Sequence, residues 1–378
     1  MAFGSADLRL NGKQWGIALA ILVPLILLTP WLWSHVERFE TGPDYRQPYA
    51  LSRDYWLYQR RIAREIAPTN ILMIGDSVIW GEYVRPDGTL ATFLNREAGE
   101  KSDHHFVNAG VNGMFPLALE GLVRHYAPLP RGQKVMLNCN LLWMTSPKVD
   151  LSSDKQEHFN HSRLVPQFSP RIPSYRADAS ERLGAVIEQH VPLLGWVNHL
   201  QDAYFDQKSI STWTLEDDGK DPPHYPNAWK NPFSQLTMLV PSAPANDPDR
   251  GPESPRHHPW SDKPRGNSHF DWVSLDKSLQ WAAFRRLVEY LQSQGADVFV
   301  MVGPFNEHML AEDNVPACHA LRDGIDAWLT EHQVPHFTPE ALPSQLYADA
   351  SHPLTAGYEL LAKRMLQNPN FSNWLGGL

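Results

Sequence analysis

The stretch Asn70-Ile71-Leu72-Met73-Ile74-Gly75-Asp76-Ser77 decides how this chain is read. Its short apolar run is either a buried strand or a piece of buried helix, and the Gly75-Asp76-Ser77 that ends it favours a strand turning sharply into a helix. Such a turn leaves Ser77 at the carboxyl edge of a parallel sheet, where open α/β folds hold their ligands. Far downstream, Asp349-Ala350-Ser351-His352-Pro353 supplies an imidazole with a carboxylate three residues before it. A carboxylate so placed orients the ring and stabilises its protonated form, so a nucleophile, a base and an orienter are all present. Taken singly, the first motif also reads as a loop and the second as a capping turn with a surface histidine.

Two further segments lie between them. Phe106-Val107-Asn108-Ala109-Gly110-Val111-Asn112-Gly113 is a short strand that breaks into a glycine-bearing loop, and Lys134-Val135-Met136-Leu137-Asn138-Cys139-Asn140 is another buried strand with an amide at its carboxyl end. In order, spacing and residue type, the four blocks resemble the SGNH (GDSL-type) hydrolase superfamily, named for one Ser, Gly, Asn and His. The resemblance implies a three-layer α/β/α fold around a flavodoxin-like parallel sheet. It assigns Ser77 as nucleophile, Gly113 as a backbone donor to the oxyanion, Asn140 as its side-chain donor, and His352 with Asp349 as the base pair. The N–H of Ser77 itself completes the oxyanion hole. The chemistry accounts for the residue types, because acyl transfer develops negative charge on one oxygen and preorganised neutral donors stabilise it without a metal or other cofactor. The third block departs from the family: its usual Gly-x-Asn-Asp is Asn138-Cys139-Asn140-Leu141 here. Asn140 is the aligned donor and Asn138 its rival; in an extended strand both point to one face, so periodicity does not separate them.

Residues 14–36 contain no Asp, Glu, Lys or Arg, and the run from Trp15 to Trp33 is almost wholly apolar. That is long enough to cross a bilayer core, which needs about 20 residues. Trp15, Trp31 and Trp33 stand at its two ends, where indole rings favour the interface. Pro24, Pro30 and the lack of a polar stripe argue against a buried core helix, and Leu28-Thr29-Pro30-Trp31-Leu32-Trp33 offers no small-x-small cleavage site. The reading is an uncleaved single-pass anchor. Charge does not orient it, since Arg9, Lys13 and the terminal amine on one side are matched by Arg38, Arg46 and Arg53 on the other. An extracytoplasmic catalytic domain, periplasmic or at the cell surface, is expected from architecture, a short tail and one anchor being the usual tether of an exported enzyme.

The 33 basic and 42 acidic residues give a formal net charge of −9, which argues against binding nucleic acid or anionic lipid by general electrostatics. Two cysteines, Cys139 and Cys318, make no disulfide framework, and Cys139 reads as a small buried hydrophobe. After a tail (1–13), the anchor (14–36) and a juxtamembrane segment (37–69), the hydrolase domain occupies 70–144 and 276–378. Ala296 to Pro304 reads as a fourth strand and Val334 to Phe337 as a short fifth, with a helix from Cys318 to His332 before it.

Between strands three and four, residues 145–275 greatly exceed the roughly 30 residues of a crossover unit and are expected to form a large inserted cap. Its first part contains an amphipathic helix, Ala179 to Phe205, interrupted by Pro192. Its second, about 217–270, is rich in Pro, Asp, His and Trp without periodicity and reads as irregular loop. Trp213, Tyr225, Trp229, Trp260 and Trp272 are either flat platforms for sugar rings or pins for a long loop. The histidines at 104–105, 158, 161 and 257–258 lack a convincing metal-ligand set, so no metal site is expected. By the resemblance, anchored and exported members act on acyl groups of polysaccharides, some beside a membrane-bound O-acyltransferase. An acylated carbohydrate is therefore the expected substrate, hydrolysed or formed by O-acetylation through an acyl-Ser77. A lipid or small-ester esterase is the second reading. A non-catalytic assembly partner of a membrane acyltransferase or polysaccharide synthase is the third.

Overall fold

The computed structural model describes residues 10–39, 41–42, 44–99, 103–168, 171–216, 230–240, 259–262 and 266–376. Most of the Pro-rich stretch, with Tyr225, Trp229, His257 and His258, lies outside the described residues. The chain forms two compact units: Met1–Glu40 with Ile187–Pro241, and Thr41–Val186 with Ser242–Leu378.

The smaller unit begins with α1, Gly12–Val36. Asn11 and Gln14 cap it reciprocally, each side chain accepting from the other's backbone N–H, so two of the donors left open at a helix start are satisfied. From Trp15 to Trp33 it is almost wholly apolar on every face, and the side chains of Trp15, Leu25, Trp31 and Val36 are more than half exposed. This helix is long and apolar enough to cross a membrane. Past its end, Glu37 is fully buried and accepts from His199 Nε2 (2.8 Å), Tyr204 Oη (2.6 Å) and Trp33 Nε1 (3.0 Å). His199 and Tyr204 lie on α8 (Pro192–Tyr204), so the carboxylate clamps that helix to the end of α1. Burial would raise the Glu37 carboxyl, but these donors outweigh it and hold it at about 2. The division between the units falls within α7, Ala179–His190, and α7 and α8 meet at Val191, where Pro192 starts the second helix at its first position. The unit also holds α9, Ile210–Leu215.

The larger unit is α/β. After α2 (Tyr55–Glu65) come β1 (Asn70–Ile74), α3 (Ser77–Trp80), α4 (Leu90–Ala98), β2 (His105–Asn108), α5 (Pro116–Tyr126) and β3 (Lys134–Cys139). The short α6 (Pro147–Asp150) follows, and later α10 (Leu279–Ser293), β4 (Asp297–Val302), α11 (Val315–Glu331), β5 (His336–Phe337), α12 (Thr355–Gln367) and α13 (Pro369–Leu375). The five strands form one parallel sheet in the order β2-β1-β3-β4-β5, with Leu72 opposite both Val107 and Val135, and Val135 opposite Val298.

Strand periodicity divides the core. Leu72, Ile74, Val135, Leu137, Val298 and Val300 pack with Ile62 of α2, Leu122 of α5, Phe284 of α10 and Ile325 of α11. The alternate residues Ile71, Met73, Met136, Phe299 and Met301 pack with Ile79, Phe93, Leu361 and Phe371 of α3, α4, α12 and α13. Strands apolar on both faces are what a sheet covered on both sides requires. Residues 41–66 are part of this unit: Arg46 lies 3.9 Å over the Trp80 ring and bonds the carbonyl of Gly81, and Trp80 Nε1 donates to Gln47 O at 2.7 Å. The approach is close enough to dictate sequence. A Cβ on Gly110 would stand 2.4 Å from the backbone nitrogen of Trp80, so only glycine fits behind α3.

Candidate active site

β1 ends at Ile74, and two residues later Asp76 caps α3, its Oδ1 accepting from Val78 N at 2.9 Å. Ser77 is thereby the first residue of α3, at the carboxyl edge of the sheet, and is 5% exposed. The second motif reaches it by a tight return in which Ala348 N donates to His352 O (2.9 Å) and Asp349 Oδ1 accepts from the N–H groups of Ser351 and His352. Ser77 Oγ lies 2.7 Å from His352 Nε2, and His352 Nδ1 lies 2.8 Å from both oxygens of Asp349. The three residues expected to act together do meet. Tyr358 of α12 fixes the two segments to each other by donating to Val78 O at 2.8 Å.

The electrostatics follow from this geometry. Burial works against the protonated imidazole, but Asp349 first, then Glu82 and Asp76, outweigh it and raise His352 to about 9. Burial likewise would raise Asp349, and the His352 ring with two backbone donors holds it below the usual carboxylate range. Asp76 is wholly buried, and burial leaves it above that range despite three donors.

Two of those donors come from the third block and the turn that follows it. Asn140 Nδ2 and Trp143 Nε1 each donate to Asp76 Oδ2 at 2.9 Å, while Asn140 Oδ1 accepts from Leu142 N at 2.9 Å. A flipped amide would set oxygen against carboxylate and N–H against N–H, so its orientation is determined, and with it the direction of the second amide hydrogen. Asn138, wholly buried like Asn140, has different partners: its Nδ2 donates to Gly303 O at 2.6 Å, and its Oδ1 has no partner among the described residues. β3 ends at Cys139, and Asn140 caps the turn Leu141–Met144, so the strand alternation that made the two asparagines look equivalent stops between them.

Gly113 follows β2 at φ +68°, a left-handed conformation that favours glycine. Ala109 N donates to Met73 O (2.8 Å) and Val111 N to Gly75 O (3.1 Å), so the chain leading to Gly113 runs beside the chain leading to Ser77. The loop is held from behind by His161, buried, whose Nε2 lies 2.8 Å from Asn112 O and whose Nδ1 lies 3.0 Å from Tyr55 Oη. The ring thus donates to the carbonyl and accepts from the phenol. Burial, helped by Arg53 and Arg163 against the Asn112 bond, lowers His161 to about 4 and keeps it neutral. A cavity of about 260 Å3 opens at Gly113, with Phe115, Val149, Leu151 and Phe159 as its apolar lining and Lys148 and Asn160 among its polar residues.

Of the other candidates, His104 bonds Leu375 O, away from the site, and His158, in the lining of the Gly113 cavity, bonds Asn160. Trp213 and Trp260 are buried, and Trp272 packs edge-on against Phe270 and Phe305, so these three act as pins rather than open platforms. Sequence reasoning passed over Asp76 and Trp143, which join the first and third blocks, and Glu82, whose Oε2 lies 3.3 Å from His352 Nε2. Asp76 was legible in principle, as an acidic residue directly before a helix start. No family model matches the chain, and no curated protein matches it.

Proposed function

We propose that this chain is a membrane-anchored serine esterase or O-acyltransferase of the SGNH type, its α/β unit a three-layer α/β/α sandwich of flavodoxin-like order with a large insertion between β3 and β4. The observation that carries the reading is the unbroken chain Ser77 Oγ–His352 Nε2, His352 Nδ1–Asp349 at the carboxyl edge of a parallel sheet. In the proposed reaction His352 takes the Ser77 proton as Oγ attacks an ester carbonyl. The oxyanion is held by the N–H groups of Ser77 and Gly113 and by Asn140, and the protonated His352 gives its proton to the leaving alcohol. Water or a sugar hydroxyl then releases the acyl group by the reverse path. Nothing in this path calls for a cofactor.

The apolar α1 supports an anchor, and an extracytoplasmic O-acetylated polysaccharide is the substrate proposed, with a membrane-bound O-acyltransferase as the donor of the acyl group where the reaction is transfer. A second reading, a lipid or longer-chain esterase, is favoured by the cavity at Gly113, where Phe115, Val149, Leu151 and Phe159 give an apolar wall. The test is a release assay on the purified full chain with acetylated polysaccharides, a small acetyl ester and esters of increasing chain length. Acetate release or transfer with acetylated glycan supports the first reading, a rise of kcat/KM with chain length the second, and no turnover of any ester contradicts both.

A further inference from the structure

The smaller unit is tied to α1 where the apolar stretch ends. Trp33 lies edge-on to Trp196 at 5.6 Å and to Tyr204 at 6.4 Å, and Glu37 takes its bonds from His199 and Tyr204 of α8. Because Trp196 meets Trp33 while the later His199 meets Glu37, α8 followed toward its start runs back along α1 toward the span. Pro30, about one turn before Trp33, is buried, so the cover on α1 reaches into the apolar stretch itself. A second strap is the parallel bridge between Arg38 and Leu239, in which Arg38 N donates to Met238 O at 2.9 Å and Val240 N to Arg38 O at 2.8 Å.

Both strapped segments lack charge: residues 191–198 and 231–240 contain no Asp, Glu, Lys or Arg. Yet they leave Leu194, Phe233 and Leu239 exposed, Phe233 by 78%. Large apolar side chains open to water mark a surface that something covers, and the end of a membrane span supplies the cover. Trp31 and Trp33 close the apolar stretch and belong at the level where headgroups meet acyl chains. Trp196 shares that level through its ring contact, and Leu239 lies beside Arg38, two residues past the end of α1. The carboxylate nearest the span, Glu37, is wholly buried on its three donors and so faces protein rather than lipid.

We infer, resting on the anchor reading above, that the smaller unit is seated in the lipid interface, with residues 191–198 and 231–240 placing Leu194, Phe233 and Leu239 in the headgroup and acyl boundary beside the end of α1. The bilayer is the occupant because the span ends at this face, which makes the seat continuous with the anchor. The chain is then held by a span and an interfacial surface together, which restricts its swing about a single helix. Lys230, next to the second segment, is paired with Glu216, so the seat is apolar and a zwitterionic bilayer suffices.

The test places one nitroxide at a time on the full chain in phosphatidylcholine nanodiscs, at Leu194→Cys, Phe233→Cys or Leu239→Cys. Both native cysteines are buried, and the unsubstituted chain is the labelling blank. Leu25→Cys, on the exposed surface of α1, is the lipid reference, and Asp323→Cys in α11, whose side chain is 74% exposed, is the water reference. Collision rates with O2, which concentrates in lipid, and with a water-soluble nickel chelate are read at each position. The inference expects a ratio of O2 to chelate collisions at Leu194 and Phe233 several-fold above that at Asp323 and below that at Leu25, with Leu239 following them. With Leu25 in lipid, a ratio at Leu194 and Phe233 equal to that at Asp323 overturns the seat and leaves the anchor standing. Shielding of both labels from O2 and chelate alike also overturns it, since a protein surface would then cover the face. A Leu25 label as open to the chelate as Asp323 refutes the anchor reading, and the seat with it.

Discussion

His352 Nε2 lies 2.7 Å from Ser77 Oγ although 275 residues separate the two in sequence. Neither residue makes the contact alone. The β1–α3 turn presents the serine, the Asp349 turn presents the imidazole, and Tyr358 locks α12 to α3 beneath them.

The two asparagines of the third block should behave differently. Asn140→Ala is expected to lower kcat by about 10²–10³, the loss typical of one oxyanion donor, with KM little changed. Asn138→Ala removes a bond to Gly303 O from a wholly buried site and should cost about 1–3 kcal/mol of stability while kcat holds. Steady-state kinetics beside thermal melts separate the two, and exchanged outcomes would make Asn138 the donor.

Gly110→Ala tests the packing behind the nucleophile. A Cβ there meets Trp80 N at 2.4 Å, backbone that cannot rotate away. A loss of about 3 kcal/mol or more is expected in chemical unfolding, at the upper end of what overpacking costs; a neutral result would mean that α3 lies farther from the β2 loop.

The sheet was legible because strands apolar on both faces, with glycine and polar residues at their carboxyl ends, leave few alternatives. Ser77, Asp349 and His352 were legible for the same reason, each sitting in a short turn whose residues define it. What was not legible depended on contacts between distant segments. Arg46 reads as an ordinary positive charge near an anchor, yet it is buried in the α/β unit, as is Arg61, which has two nitrogens lacking partners among the described residues. Glu82 carries no local signal, because its importance arises only when the chain brings His352 to it. Asn138 and Asn140 looked alike because strand periodicity was extended one residue past the strand.

Acid should loosen the Gly113 loop through His161. Its value is lowered from 6.5 to about 4, so the folded state holds fewer protons than the unfolded one between those limits. The associated stability, up to roughly 3 kcal/mol, is fully present above pH 6.5 and lost as pH falls toward 4. Melting temperatures across this window should fall more steeply in the wild type than in His161→Gln, which cannot titrate; parallel curves would remove His161 from the account.

Truncation before residue 41 should destabilise 187–241. It removes Glu37 and leaves His199 and Tyr204 with a buried partner missing, a cost of about 1–3 kcal/mol, and it uncovers Trp196, whose ring packs on Trp33. Limited proteolysis should cut the truncated chain within 187–241 at protease levels that leave the full chain intact there. Equal resistance would show that the smaller unit holds without its first helix.

The most direct test of the central claim is peptide mass spectrometry of the full chain after treatment with a serine-directed fluorophosphonate at pH 9, where His352 is substantially neutral. The account predicts a single adduct on Ser77, absent in Ser77→Ala and nearly absent in His352→Ala, and a double variant scarcely worse than either single, since residues acting as a unit lose function non-additively. An unmodified Ser77 in a folded wild-type chain, or labelling that persists at the same rate in Ser77→Ala, would contradict it.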